Sequence, residues 1–292
     1  MRVVANGIGI EIDDQGPAGA EPLLLVMGLG MQLTAWPQDF VQRLVTRGFR
    51  VLRMDNRDAG LSQGFDALGV PHLAWAAMRH TLHLPQVAPY GLADMAADAV
   101  GVLDALGIER AHLCGASMGG MIAQHLAASH AQRIRSLTLM MTTSGARRLP
   151  QAAWPVQRAL MARPQGRGTE AIVDHLERLY RLIGSPAFPA ERDEMRARIR
   201  AQVERAWRPA GTVRQLVAVV ADGDRTPLLE RIAAPTLVIH GEADPLLPVA
   251  AGHDLVRRIA GATGDFIAGM GHDLPRQRLE RYADAIAATA RR

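Results

Sequence analysis

Cysteine is nearly absent from the 292-residue chain: Cys114 stands alone. One thiol excludes an intrachain disulfide framework and a cysteine-built zinc or iron–sulfur site. It also makes a reducing cytoplasm the simplest home. Lysine is missing altogether, so all 33 basic residues are arginine. Almost nothing therefore titrates between histidine and tyrosine, and the formal net charge at pH 7 is only +4. No apolar run approaches the roughly 18–20 residues of a membrane span. The opening Met1-Arg2-Val3-Val4-Ala5-Asn6-Gly7 lacks a charged stretch leading into an apolar one, so no secretory signal is expected. No internal repeat and no low-complexity segment interrupts the chain.

What remains is the composition of a globular protein with a large core, 48% hydrophobic and 21% charged. The charge is uneven. Residues 147–210 hold 13 arginines against 7 acids, and the remainder holds 20 against 22. Arg192, Arg196 and Arg200 alternate with Glu191, Asp193, Glu194 and Glu204. Mixed signs of this kind describe a solvated, salt-bridged helix face, so a nucleic-acid partner is not expected.

Short apolar runs alternate with helical patterns. Val3–Ala5 and Ile8–Ile12, split by Asn6-Gly7, read as a hairpin. Leu23–Met27, Val51–Met54, Ala111–Cys114 and Leu137–Met141 read as strands, with helices at Trp36–Arg47, Leu92–Leu106 and Met118–Ser129 between them. The rhythm resumes with strands Thr236–His240 and Asp265–Ala268 and helices through Leu255–Ile259 and Leu279–Ala288. Apolar strands alternating with helices predict a parallel sheet covered on both faces. Residues 147–210, helical and punctuated by six prolines, read as a cap inserted into a core of 1–146 and 211–292. A second irregular insertion covers 64–91.

The strongest chemical signal is Gly115-Ala116-Ser117-Met118-Gly119, between a predicted strand and a predicted helix. This is the G-x-S-x-G turn that thrusts a serine hydroxyl clear of a sheet, in front of a helix N-terminus. Such a serine needs a base. Of ten histidines, His272 follows the last strand in the loop Gly269-Met270-Gly271-His272, where flanking glycines leave its ring free to project. His112 lies in the strand itself. His125 and His130 sit on the departing helix, His72, His80, His83 and His175 in the insertions, and His240 and His253 beside the candidate acid. That acid is Asp244, at the end of a strand and before Pro245, with Glu242 its nearest rival and Asp222, Asp224 and Asp273 weaker ones. The order Ser117, Asp244, His272 is that of the Ser–acid–His hydrolase arrangement. Backbone N–H groups of Met118 and of Leu29, in Gly28-Leu29-Gly30, are the expected oxyanion donors.

Taken together, Leu25–Gly30, the phrase Asp55-Asn56-Arg57-Asp58-Ala59-Gly60-Leu61-Ser62, Gly115–Gly119 and Gly269–His272 resemble the α/β-hydrolase superfamily, and within it the aclacinomycin methylesterase-like esterases. The resemblance covers essentially the whole chain. It implies a mostly parallel eight-stranded sheet flanked by helices, a helical cap and no cofactor. It also implies a triad of Ser117, Asp244 and His272 with Leu29 and Met118 at the oxyanion. Met27 stands where many relatives carry histidine, as it does in the methylesterase-like group, and the 64–91 insertion is longer than in that group.

An apolar pocket is expected between the sheet's carboxyl edge and the cap, with Met31, Trp36, Met118, Trp154, Leu160, Met161 and Leu246 as wall candidates. The expected activity is hydrolysis of small to medium carboxylic esters through an acyl-enzyme. The same triad also serves C–C bond hydrolysis, lactone opening, peptide release or cofactor-free perhydrolysis, and ligand-binding receptors can retain it. The residues leave the oligomeric state open, a homo-oligomer included.

Overall fold

The computed structural model describes residues 1–73, 75, 78–79, 82, 84, 86–166 and 168–292. His80 and His83 lie outside this set.

Eight strands form one sheet: β1 (Arg2–Ala5), β2 (Ile8–Gln15), β3 (Glu21–Val26), β4 (Phe49–Met54), β5 (Ala111–Ala116), β6 (Ile134–Met140), β7 (Thr236–Gly241) and β8 (Thr263–Ile267). Their spatial order is β1-β2-β4-β3-β5-β6-β7-β8. β1–β2 and β2–β4 pair antiparallel, and every later pair is parallel. The hairpin turn has Asn6 at φ +51° and Gly7 at +76°. Both central residues must reach positive φ in the turn whose twist matches the strands, which is why Asn-Gly stands there.

The helices with described bounds are α1 (Gln38–Thr46), α2 (Leu92–Ala105), α3 (Met118–Ser129), α4 (Trp154–Met161), α5 (Thr169–Ile183), α6 (Arg192–Arg205), α7 (Pro209–Asp222), α8 (Thr226–Leu229), α9 (Ala250–Arg258) and α10 (Leu279–Ala290). One apolar layer lies between the sheet and α2, α3 and α9, through residues such as Leu103, Ile122 and Leu255. The other lies beneath α1 and α10, through Phe40, Leu44, Tyr282 and Ile286. Because both faces are covered, β5 and β7 are buried along their whole length. Sheets built this way need strands that are apolar throughout rather than alternating.

Several strands run further than their apolar runs. β2 continues through Asp13-Asp14-Gln15 because that stretch pairs with β4 as far as Gln15–Val51. β8 starts at Thr263, two residues before its apolar run, since parallel pairing with β7 begins at Leu237–Thr263. β5 extends through Gly115 and Ala116, which brings the ladder right up to Ser117.

Five helices, α4 to α8, separate β6 from β7, and α7 runs through residues 210 and 211 without interruption. Buried ion pairs tie α7 to the turn after β4. Arg214 donates to both carboxylate oxygens of Asp58 at 2.7 Å, and in that turn Arg57 is paired with the buried Asp98 of α2. No helix among the described residues is long and apolar enough to cross a membrane.

Candidate active site

The chain leaves β5 and enters α3 through one residue. Ser117 has φ +54° and ψ −119°, a conformation that costs an L-residue of order 1–3 kcal/mol and persists only where its surroundings enforce it. The enforcement is visible. Ser117 N–H donates to Met140 O at 2.9 Å, and Thr142 Oγ1 donates to Ser117 O at 2.7 Å. The glycines of the motif are required by close approach. A Cβ on Gly115 would lie 2.3 Å from Gly119 O, and one on Gly119 would lie 2.0 Å from Val26 O.

His272 meets this serine from the loop after β8, its Nε2 3.0 Å from Ser117 Oγ. Its Nδ1 lies 2.7 Å from Asp244 Oδ2. A carboxylate can only accept, so Nδ1 carries the proton and Nε2 faces the hydroxyl with its lone pair. The Asp244 side chain has no exposed surface. Its second oxygen accepts from the N–H groups of Leu246 and Leu247, both at 2.9 Å. Pro245 ends β7's direction, and this side-chain turn fixes the carboxylate facing the imidazole.

Neighbouring elements hold the histidine loop. His272 N–H donates to Ile183 O at 2.7 Å, at the end of α5. Gly271 N–H donates to Ser185 Oγ at 2.9 Å, and Ser185 in turn donates to Asp273. Burial raises the Asp273 carboxyl above its ordinary range. Beneath Asp244, His240 Nε2 donates to Leu247 O at 2.7 Å and lies 3.6 Å from Asp244 Oδ2. Burial lowers the pKa of His240, favouring its neutral form.

Several other titratable candidates are engaged elsewhere or face solvent. His112 bridges Ser136 and Glu21. His125 pairs with Asp222, His253 packs against the Phe266 ring at a tilt of 33°, and Glu242 is exposed. Cys114 is fully buried, and desolvation pushes its thiol up, away from reactivity. Among the described residues no group of three or more His, Cys, Asp or Glu is placed to hold a metal ion.

Gly28 lies against the serine: a Cβ built on it would be 3.2 Å from Ser117 Cβ. Gly28 O accepts from Met31 N–H at 3.2 Å. Across a trans peptide the N–H points opposite to the C=O, so Leu29 N–H is turned away from that bond. Among the described residues neither Leu29 N–H nor Met118 N–H has a hydrogen-bond partner.

The expected pocket wall is only partly assembled. Met31 and Leu246 are half-buried, and Met118 is buried beside the serine. Trp36 has no exposed surface; it stacks on Phe40 in the core beneath α1. The short helical turn Leu33–Ala35 folds it back against the sheet. Trp154, Leu160 and Met161 face solvent, Trp154 with 72% of its surface exposed. The physical reason is that α4 buries a single side chain, Val156.

Two site-adjacent residues hold the loop after β3, Asn56 from the Asp55–Ser62 phrase and Gln215 with no motif of its own. Asn56 Nδ2 donates to Met27 O, and Gln215 Oε1 accepts from Gly30 N–H, both at 2.8 Å. The available signal for Gln215 was a polar pair, Arg214-Gln215, set inside the apolar stretch of α7.

Residues 21–277 match the family model of the alpha/beta hydrolase fold, and the chain belongs to that family. It is 31% identical over 293 residues to rhodomycin D methylesterase DnrP of Streptomyces peucetius, covering 94% of this chain and 92% of that protein. It is 29% identical to a 2-hydroxy-6-oxononadienedioate/2-hydroxy-6-oxononatrienedioate hydrolase of Paraburkholderia xenovorans, covering 94% and 88%. Among solved structures, the enol-lactonase from Burkholderia xenovorans LB400 superposes with a TM-score of 0.75 at 26% identity over 100% of both chains.

Proposed function

We propose that this member of the α/β-hydrolase family is a serine hydrolase cleaving carboxylic esters of small to medium acyl chain. The observation that carries the reading is the relay Ser117–His272–Asp244, with contacts of 3.0 and 2.7 Å, built on a serine held at positive φ. The methylesterase relatives support ester chemistry.

The steps follow from the geometry. Ser117 Oγ attacks the ester carbonyl carbon while His272 Nε2 takes its proton. The carbonyl oxygen becomes an oxyanion held by Leu29 and Met118 N–H, each donor worth about 3–4 kcal/mol at such a site. The tetrahedral centre collapses, the C–O bond to the alcohol breaks, and His272 returns its proton to the leaving alkoxide. Water then attacks the acyl-enzyme with the same histidine as base, releasing the acid and restoring Ser117. Asp244 stays ionised and stabilises the imidazolium in each half. The reaction uses this chain's side chains, two amides and water. We take residues 147–210 as a cap over the acyl side of the site, and the cytoplasm as the compartment, on the single buried thiol.

A panel of p-nitrophenyl esters from acetate to decanoate tests this. Turnover is expected, strongest for short and medium chains. The hydrolase and lactonase relatives make C–C cleavage or lactone opening the second reading. Turnover of a lactone or a vinylogous diketone with none on any ester of the panel would favour it and overturn the first.

A further inference from the structure

We infer that Gln215, on α7, is a positioning residue for the oxyanion: it holds the Gly28–Leu29 peptide in the orientation that presents Leu29 N–H to the substrate. The inference rests on the esterase reading above.

The loop after β3 is short and glycine-rich, and within it the Gly28–Leu29 peptide is held by a single bond, from Met31 N–H to Gly28 O at 3.2 Å. Among its ties to the outside, two flank that peptide. Asn56 Nδ2 donates to Met27 O at 2.8 Å, and Gly30 N–H donates to Gln215 Oε1 at 2.8 Å. Between these two ties lies the peptide whose C=O bonds Met31 N–H and whose own N–H has no hydrogen-bond partner among the described residues. Gly30 adopts φ +66°, so the turn is one of several that a glycine could take. The bond to Gln215 selects among them.

Gln215 is itself fixed. Its side chain is fully buried, and its Nε2 donates to Arg57 O at 2.7 Å. The preceding residue, Arg214, is locked to Asp58. One turn earlier on the same helix face, Thr212 packs on Gly30, where an added Cβ would meet its Oγ1 at 2.7 Å. The amide therefore transmits the rigidity of α7 and the Arg57–Asp58 turn to the oxyanion loop. Without it, Gly30 N–H loses its partner and the loop can flip.

The test compares wild type with Gln215→Met, which keeps the side-chain length and removes the acceptor. Readouts are kcat and KM for p-nitrophenyl butyrate and Ki for an alkyl trifluoromethyl ketone. Ser117 Oγ adds to that ketone's carbonyl carbon, the proton passing to His272 and the carbonyl oxygen becoming an oxyanion. The carboxylate product serves as ground-state control. Loss of a complete oxyanion donor costs about 10²–10³ in kcat. A loosened donor is expected to cost about 10–100-fold in kcat and in ketone affinity, with KM and product affinity within about threefold. Should Gln215→Met not fold, Gln215→Glu and Gln215→Asn decide. Glutamate keeps an oxygen within reach of Gly30 N–H, asparagine withdraws it by one methylene, and the glutamate variant must bind the ketone about tenfold tighter. Ketone affinity unchanged in Gln215→Met, a loss equal for ketone and product, or equal affinity of the Glu and Asn variants overturns the role of Gln215 while leaving the esterase reading intact. A wild-type chain that neither hydrolyses the ester nor captures the ketone overturns both.

Discussion

At Ser117 the backbone is strained, the hydroxyl has the His272 imidazole at 3.0 Å and the imidazole has the Asp244 carboxylate at 2.7 Å. A residue in that position is held by its neighbours, so small changes there carry large costs. Gly119→Ala would place a methyl 2.0 Å from Val26 O, against backbone that cannot yield cheaply. We expect a loss of about 3 kcal/mol or more, by analogy with overpacked cores, seen as a lowered urea midpoint. Two buried histidines make a separate expectation. Burial lowers the pKa of His112 and His240 below the ordinary 6.5, so below 6.5 the unfolded chain binds protons that the folded chain refuses. Their stabilising share is present above pH 6.5 and declines as pH falls through that value. Asp98 and Asp273, raised by burial, act with the opposite sign. The share of one histidine is therefore read as a difference: the urea midpoint of His112→Asn should fall less between pH 7.5 and 5.5 than that of wild type. An identical fall would contradict the assignment. At this scale the sequence was informative where chemistry forces a residue type. Gly115, Ser117, Gly119, Asp244 and His272, which the structure brings together, were legible because a tight turn and the proposed serine, acid and base permit few alternatives. Gln215 was not, because an amide bonding a distant backbone leaves no local pattern.

Helix α7 shows how an element is anchored to a site. Its Arg214 is 1% exposed and faces Asp58, whose side chain has no exposed surface. Desolvation works to raise the Asp58 pKa, but the hydrogen bonds from Arg214, Phe65 N–H and Tyr90 leave it lowered. Removing one partner of such a pair strands a buried charge, so Arg214→Leu should cost about 3–5 kcal/mol. The α5–α6 pair Arg200–Glu170, exposed on both sides, should cost under about 1 kcal/mol when broken by Arg200→Gln. Urea denaturation of the two variants checks the contrast, and similar costs would contradict it. Element types were readable from periodicity: α3 spans Met118–Ser129 as its pattern predicts, and all eight strands lie where apolar runs stand. Strand ends were less readable, since Asp13–Gln15 and Thr263-Gly264 are strand by virtue of their partners. Which side α4 turns to the core was not readable for a related reason. A helix of eight residues with one buried side chain has too little period to say which side meets the core, and Trp154, Leu160 and Met161 face water instead of a pocket.

Across the whole molecule, the segment between β6 and β7 is tied to the histidine loop, the loop after β3 and the turn after β4. Ile183 and Ser185 hold the histidine loop, Gln215 holds the loop after β3, and Arg205 bonds Gln32 and Asp55. The α/β order and the presence of a helical insertion follow from composition and periodicity. These long-range ties do not, because a hydrogen bond between residues 30 and 215 has no local signature. They make the segment a brace, and replacing residues 147–208 with a short linker should abolish ester turnover even where a folded core survives by circular dichroism. Retained activity in such a core would show that the loops hold themselves.

The central claim is that Ser117 is the nucleophile activated by His272. Treating the wild-type protein with an alkyl fluorophosphonate and mapping the adduct by peptide mass spectrometry tests it directly. The account requires a single stoichiometric adduct on Ser117, absent from Ser117→Ala, and slowed at least about 10³-fold in His272→Ala, as expected when one member of a triad is removed. An adduct on another residue, or labelling of Ser117 at an undiminished rate without His272, would contradict it.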